Sequence, residues 1–145
     1  MKFKQGLFTP KNPQKYSGDY TNIVYRSSWE KKAFNMCDIN PNIVKWASEE
    51  FHIPYICPTD GRRHRYFPDL YLKLKNGKKL IIEIKPLREC KPPRKNKNKQ
   101  RYITECMTYA KNQAKWKYAS EFAKKRGMEF KVWNEQTLKQ MGLKL

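Results

Sequence analysis

The architecture of this chain follows from one stretch, Tyr66-Phe-Pro-Asp-Leu-Tyr-Leu-Lys-Leu74, Lys75-Asn-Gly-Lys78 and Lys79-Leu-Ile-Ile-Glu-Ile-Lys85. Two runs of alternating apolar and polar residues flank an Asn-Gly pair, which is a strong signal for a β-hairpin. Side chains alternate between the two faces of a strand, so the leucines of the first run share a face with Leu80 and Ile82 of the second. The sequence therefore predicts a two-stranded unit with one apolar, buried face.

The register of the hairpin depends on the length of its loop. A two-residue Asn-Gly loop would place the apolar stripes of the two strands on opposite faces, which a single buried face forbids. A three-residue loop, with Gly77 in the left-handed conformation of a G1 bulge, pairs Leu70 with Ile82 instead. Asp69 then lies directly opposite Glu83, on the face that we expect to be exposed.

Asp69 and Glu83 would form a paired-carboxylate site on this hairpin. Two carboxylates that face each other across strands repel unless a cation lies between them. Oxygen-only ligation suits Mg²⁺, and Mn²⁺ is a substitute with the same ligand preference. Lys85, one pleat beyond Glu83, can hold a phosphate oxygen or a water molecule. Charged residues are also common on the solvent face of a hairpin, so these side chains leave a purely structural interpretation open.

The rest of the chain predicts a mixed α/β domain without internal repeats. Ser27 and Glu30 fit a capping box at the start of a helix that reaches Cys37. A longer helix runs from Gln100 to Arg126, where the following glycine and the preceding cations suit a helix end. Short strands are predicted at residues 43–47, 53–57 and 129–133, and a closing helix at 137–141.

The composition indicates an anionic partner. The 145 residues include 32 Lys and Arg against 13 Asp and Glu, which gives a formal net charge of +19. This length is typical of one domain, and this charge exceeds what solubility requires, so nucleic acid is the leading candidate. No apolar run is long enough for a transmembrane helix, and the start does not resemble a signal peptide. The four cysteines lack C-x-x-C spacing, so we expect free thiols rather than a structural zinc site.

Two basic regions flank the hairpin. We divide the chain into an extended N-terminal arm at residues 1–25 and a single domain at 26–145, with a basic loop at 86–100. A second basic run, Gly61–Arg65, precedes the first strand of the hairpin. Cations on both sides of a carboxylate pair suit contacts with phosphate groups. The candidate DNA-binding residues are Arg62, Arg63, His64, Arg65, Arg88, Lys91, Arg94, Lys95, Lys97, Lys99 and Lys117.

The chain resembles the PD-(D/E)XK, restriction-endonuclease-like nucleases in its motif Pro68-Asp69 followed by Glu83-Ile84-Lys85. A narrower likeness, over about residues 11–143, is to the head completion nucleases of T4-like tailed bacteriophages. The fold is also similar to that of TnsA-type N-terminal nuclease domains. The stretches that carry the narrower likeness include Tyr25-Arg26-Ser27-Ser28-Trp29-Glu30-Lys31, Ile53-Pro54-Tyr55, Arg65-Tyr66-Phe67 and Lys115-Trp116-Lys117.

The resemblance implies a restriction-endonuclease-like α/β fold, with a central mixed β-sheet flanked by helices. It implies Mg²⁺ bound by the equivalents of Asp69 and Glu83, with a lysine that positions the attacking water. The Ile84 carbonyl and Glu30 would complete the metal ligands, although Glu30 can also serve only its capping box. The candidate catalytic residues are thus Glu30, Asp69, Glu83, Lys85 and Gln113, the last on the long helix where related nucleases carry a glutamine or lysine.

The implied activity is Mg²⁺-dependent endonuclease hydrolysis of phosphodiester bonds, at the end of packaged DNA during phage head completion. The implied partners are double-stranded DNA and phage head, portal or neck proteins, in the host cytoplasm during assembly or in the virion. Two other functions stay open. One is a structural DNA-binding head or neck component with a vestigial nuclease site, and the other is a junction-resolving or repair nuclease of the same fold.

Overall fold

The structure is a computed structural model, and it describes residues 4–145. Its strands are Gly6–Phe8 (β1), Ile23–Tyr25 (β2), Ile43–Ala47 (β3), Ile53–Ile56 (β4), Arg63–Tyr66 (β5), Leu70–Leu74 (β6), Lys79–Ile84 (β7) and Glu129–Trp133 (β8). Its α-helices are Ser28–Ile39 (α1), Lys99–Lys125 (α2) and Glu135–Gln140 (α3), and short 3₁₀ helices span Pro13–Lys15 and Leu87–Cys90. Within this range, no helix combines the length and the apolar character needed to cross a membrane.

The β6–β7 hairpin has the predicted register. Leu70 pairs with Ile82, and the Gly77 backbone N–H donates to the Leu74 carbonyl at 2.9 Å. Gly77 has a φ of 90°, a left-handed conformation that glycine adopts without a steric penalty. The prediction of a three-residue loop with a left-handed glycine is therefore confirmed.

The central sheet has four strands in the order β3-β6-β7-β8. β6 is antiparallel to β3 and β7, whereas β7 and β8 are parallel, so the sheet is mixed. α1 covers one face, where Phe34 belongs to the same apolar cluster as Leu70 and Ile82. α2 covers the other face, where Ala119 clusters with Ile81. The predicted fold, a mixed sheet flanked by helices, is confirmed.

Both faces of the hairpin are buried, which corrects the expectation that Glu83 lies on an exposed face. Ile81 is fully buried, and Glu83 is only 8% exposed. Ala119 and Ala123 are small, so α2 can lie close to this face of the sheet. The alternating pattern of the two strands predicted a hairpin with one exposed face. Ile81, an apolar residue on the same face as Glu83, was the one signal in the sequence that this second face is also buried.

The N-terminal segment packs onto the domain instead of forming an extended arm. β1 pairs antiparallel with β2, and Tyr16 is buried in the same core as the hairpin. The Asn12 backbone N–H donates to the Asp38 carboxylate at 2.9 Å. The predicted arm is therefore corrected for residues 4–25, and residues 1–3 lie outside the described part of the chain. The polar composition of this segment predicted an extended arm, although a few apolar residues in it pack into the core.

The remaining predicted elements lie within two residues of their predicted bounds. Ser27 caps α1, because its Oγ accepts from the Glu30 backbone N–H at 3.2 Å. The basic run is a strand in part, since β5 pairs antiparallel with β4 in a separate two-stranded sheet. The predicted loop at 86–100 begins with the 3₁₀ helix Leu87–Cys90 and enters α2 at Lys99.

Candidate active site

Asp69 and Glu83 lie at the same end of the β6–β7 pair. Asp69 immediately precedes β6, and Glu83 is the penultimate residue of β7. Asp69 Oδ2 accepts a hydrogen bond from the Ile84 backbone N–H at 2.7 Å. This bond fixes the Asp69 carboxylate beside β7, so the hairpin holds the two acidic groups and the Ile84 backbone together.

Glu83 is held by two further side chains. The Tyr66 hydroxyl donates to Glu83 Oε2, and Lys85 Nζ lies 3.7 Å from Glu83 Oε1. Tyr66 and Glu83 are both buried, whereas the Lys85 side chain is 23% exposed. The buried carboxylate therefore has a neutral donor on one oxygen and a partly solvated cation near the other, as a buried charge requires.

The pKa of Asp69 is raised well above its ordinary value. Burial is the largest cause, and the negative charges of Glu83 and Glu30 add to it. The hydrogen bond from the Ile84 N–H opposes this rise in pKa but does not cancel it. The carboxylates thus repel one another in a poorly solvated place, which is the condition that favours binding of a cation.

The pKa of Glu83 is also raised, chiefly by burial. The hydrogen bond from Tyr66 and the charges of Lys85 and Lys115 lower the pKa of Glu83 and so limit the rise. Three side chains from separate parts of the chain therefore stabilise the ionised form of this carboxyl group.

Glu30 takes part in the cap of α1 and also acts electrostatically on Asp69. Its backbone N–H bonds to Ser27 Oγ, and the Ser27 hydroxyl donates to the Glu30 carboxylate at 3.3 Å, so it closes the N-terminal turn of α1. The same carboxylate is buried, and its charge raises the pKa of Asp69. Capping the helix and acting on the carboxylate pair are therefore compatible.

On α2, Lys115 is the residue whose charge reaches Glu83. Lys115 Nζ lies 5.8 Å from the centre of the Tyr66 ring, and it lowers the pKa of Glu83. Gln113 and Lys117 are exposed. Each is two residues from Lys115, about 200° around the helix, so neither shares its face. The roles of Gln113 and Lys117 stay predictions.

Three residues of the site were not predicted, namely Tyr66, Lys115 and Glu49. Glu49 donates its backbone N–H to the Pro68 carbonyl at 3.2 Å, and its carboxylate pairs with Arg26. Its φ of 54° is the single positive φ of a non-glycine residue among residues 4–145. No local pattern indicated these roles, because all three depend on contacts between separate elements.

The oxygen donors at this site fit Mg²⁺, which prefers carboxylate and carbonyl ligands. Burial raises the pKa values of both Asp69 and Glu83, and a bound cation would favour the ionised forms that can act as its ligands. In the described part of the chain, the oxygens of Glu30, Asp69 and Glu83 do not all lie within 4.8 Å of one another. Direct ligands of one Mg²⁺ lie at most about 4.2 Å apart, because each Mg–O distance is about 2.1 Å. All three side chains could therefore bind one ion only if they moved closer together.

A second group of ligand atoms lies on the β4–β5 hairpin. Atoms of Cys57, Asp60 and His64 all lie within 4.8 Å of one another. Sulfur and imidazole ligands suit zinc rather than Mg²⁺, so this group is chemically distinct from the carboxylate site. His64 Nε2 contacts Asp60 Oδ2 at 2.7 Å, and the two residues close the turn of the hairpin.

Basic residues lie on both sides of the carboxylates along the chain. The arginines of the Gly61–Arg65 run are exposed, namely Arg62, Arg63 and Arg65. The 86–100 loop and the start of α2 enclose a cleft of about 910 Å³, which we call the basic cleft. The predicted DNA-binding residues that line the basic cleft are Arg88, Lys91 and Arg94. Lys95, Lys97 and Lys99 are exposed.

The mixed sheet and the carboxylate–lysine cluster at one end of its two central strands define a nuclease-type domain, and comparison with known proteins agrees. A family model described as TnsA-like endonuclease N terminal matches residues 40–135, and the chain belongs to this family. The chain is also similar to the head completion nuclease of Enterobacteria phage T4, with 42% identity over 144 residues and 96% of each chain covered. The resemblance stated from the sequence is confirmed, and both findings support a nuclease role.

Proposed function

We propose that this protein is a Mg²⁺-dependent DNA endonuclease that acts on the end of packaged DNA during phage head completion. The observation that carries the proposal is the pair of half-buried Asp69 and buried Glu83 at one end of the β6–β7 hairpin, with Lys85 Nζ 3.7 Å from Glu83. The named activity of the T4 relative and the match to an endonuclease family support the same conclusion.

Asp69 and Glu83 would hold the ion, and the Ile84 carbonyl and Glu30 would complete the ligands. Bound Mg²⁺ supplies positive charge that offsets the negative charge developing on the phosphate. The Ile84 N–H keeps the Asp69 carboxylate beside β7, so the protein fixes at least one ligand before the ion arrives. In the proposed reaction, a water oxygen bonds to phosphorus while the bond from phosphorus to a sugar oxygen breaks.

Lys85 and Tyr66 prepare the site in different ways. The Lys85 ammonium is partly exposed, so it can donate to the attacking water or to a phosphate oxygen. Tyr66 orients Glu83 by donating to one of its oxygens. Glu83 therefore keeps its second oxygen, the one nearer Lys85, available for the ion.

The substrate is double-stranded DNA, bound largely through its phosphates. Two basic segments would contact the DNA phosphates. One precedes the hairpin in the chain and supplies Arg62, Arg63, His64 and Arg65, and the other is the 86–100 loop that follows the hairpin. Neutralising Lys95, Lys97 and Lys99 together should weaken binding similarly for all sequences and flatten the salt dependence of log K by up to about three units. Cleavage at saturating DNA should change little.

Plasmid cleavage tests the proposal directly. Wild-type protein should cut DNA with Mg²⁺ or Mn²⁺ and should not cut it with EDTA, and Asp69→Ala should be inactive. Glu129→Gln is a matched control, because Glu129 lies across from Leu80 at the opposite end of β7 from Glu83. A wild-type protein that binds but does not cut would instead indicate a structural DNA-binding component. A strong preference for branched over linear and nicked DNA would indicate a junction-resolving nuclease.

We further propose phage head, portal or neck proteins as partners, encountered in the host cytoplasm during assembly or in the virion. The triple lysine variant also tests this proposal. If that variant keeps its DNA affinity and salt dependence but fails to complete heads, the 86–100 loop binds a protein partner rather than DNA.

A further inference from the structure

We propose that Arg26 is a phosphate-binding residue of the nuclease site and that Glu49 is the residue that positions it. The proposal rests on the proposed nuclease function and lies outside the carboxylate–lysine motif. Arg26 Nε lies 3.2 Å from Glu49 Oε1, and Arg26 Nη2 lies 3.0 Å from Glu49 Oε2. The guanidinium is thus held by a forked, two-point pair with defined geometry.

This pair adjoins the carboxylate site at two points. Glu49 donates its backbone N–H to the Pro68 carbonyl, one residue before Asp69. Arg26 directly precedes Ser27, the residue that caps α1. The pKa of Arg26 is raised, by Glu49 above all and further by Glu30 and Asp69. The guanidinium therefore lies in the field of the proposed metal ligands.

Stability does not explain the conformation of Glu49. The side chains of Arg26 and Glu49 are 54% and 26% exposed, and exposed ion pairs contribute little to stability. A left-handed backbone is unfavourable for any residue that has a side chain, and Glu49 has a φ of 54°. Strain of this kind is concentrated at functional sites, where a side chain must be held in one place.

The geometry leaves Arg26 free to bind a second anion. An arginine has five N–H donors, and the pair with Glu49 uses one on Nε and one on Nη2. Three donors remain on a half-exposed guanidinium, whose planar fork suits phosphate.

Arginine variants give the first test. Arg26→Gln should lower the rate of cleavage at saturating DNA about 10²-fold, the usual effect of removing one donor to a transition-state oxyanion. Arg26→Lys keeps the charge but loses the fork, so it should recover only part of this rate. Mg²⁺ affinity should not fall in either variant. Arg126→Gln is the matched control, since Arg126 lies about 16 Å further along α2 than Lys115. Equal rates for Arg26→Gln and Arg126→Gln would overturn the proposal.

Glutamate variants separate positioning from stability. Glu49→Gly fits a φ of 54° without strain, so its melting temperature should equal or exceed that of the wild type, while its rate at saturating DNA should fall. Glu49→Gln keeps the size of the side chain and should also lower the rate. Wild-type rates in both variants would refute the role of Glu49. A parallel loss of melting temperature and rate in both would show a merely structural role.

A binding assay keeps this inference separate from the nuclease proposal. Binding of a short duplex in EDTA needs no cleavage, and loss of one phosphate contact reduces the slope of log K against log salt by about one unit. We expect that reduction for Arg26→Gln and not for Arg126→Gln. An unchanged slope with Arg26→Gln refutes the phosphate contact, whereas a wild type that binds but never cleaves refutes the nuclease function instead.

Discussion

Replacement of Tyr66 by phenylalanine is a sensitive probe of the site, because it removes one oxygen atom and leaves the ring in place. Tyr66 and Glu83 are both buried, and the lost hydroxyl is the donor to Glu83 Oε2. The nearest cation, Lys85 Nζ, lies 3.7 Å from the other oxygen, so it does not replace that hydrogen bond.

A hydrogen bond to a buried charged group contributes about 1.5–3 kcal/mol, so Tyr66→Phe should lower the free energy of unfolding by about 2 kcal/mol at pH 7. The hydroxyl lowers the pKa of Glu83, and its removal should therefore raise that pKa further. The contribution of this bond is present while Glu83 is ionised and is lost as pH falls through the pKa of Glu83. The difference between Tyr66→Phe and the wild type should thus shrink at acid pH.

Urea unfolding at several pH values measures both effects. Tyr71→Phe is the matched control, because it removes the same hydroxyl group from a tyrosine in β6. Burial alone raises the pKa of Tyr71, so its hydroxyl is not assigned to a carboxylate as that of Tyr66 is. This control should change the free energy of unfolding by less than about 0.5 kcal/mol. Similar losses in the two variants, or a loss in Tyr66→Phe that does not vary with pH, would refute the assigned hydrogen bond.

Asp69→Asn should change the pH dependence of stability. The raised pKa of Asp69 means that the folded state binds its proton more tightly than the unfolded state, so stability falls as pH rises above the ordinary pKa towards the raised one. Urea unfolding of the Asn variant should show a smaller fall, because the raised pKa of Glu83 still contributes to it. Lys85→Ala should reduce cleavage about 10²-fold or more with Mg²⁺ affinity by calorimetry nearly unchanged, since an ammonium is not a ligand; lost affinity with spared cleavage would contradict this role. Ser27→Ala should cost about 1 kcal/mol in chemical unfolding because it removes the α1 cap, and an unchanged midpoint would count against that cap.

The sequence by itself determined the hairpin that carries the site. Alternating side chains and a glycine that tolerates positive φ are local features, so they established the three-residue loop and the pairing of Leu70 with Ile82. The same register places Asp69 and Glu83 at one end of the strand pair. Ser27 as the cap of α1 was equally local, because a capping residue bonds within its own turn.

The tertiary structure alone decided what surrounds the carboxylates. On α2, the sequence left Gln113 and Lys117 as the candidates for the site, whereas the residue whose charge acts on Glu83 is Lys115. Tyr66 reaches Glu83 from β5, and Arg26 meets Glu49 across 23 residues of chain. Local periodicity specifies which side of an element is apolar, whereas contacts between distant elements depend on how those sides assemble. The shifted pKa values of this site and the polar partners of Glu83 therefore depend on contacts between distant elements, which only the tertiary structure shows.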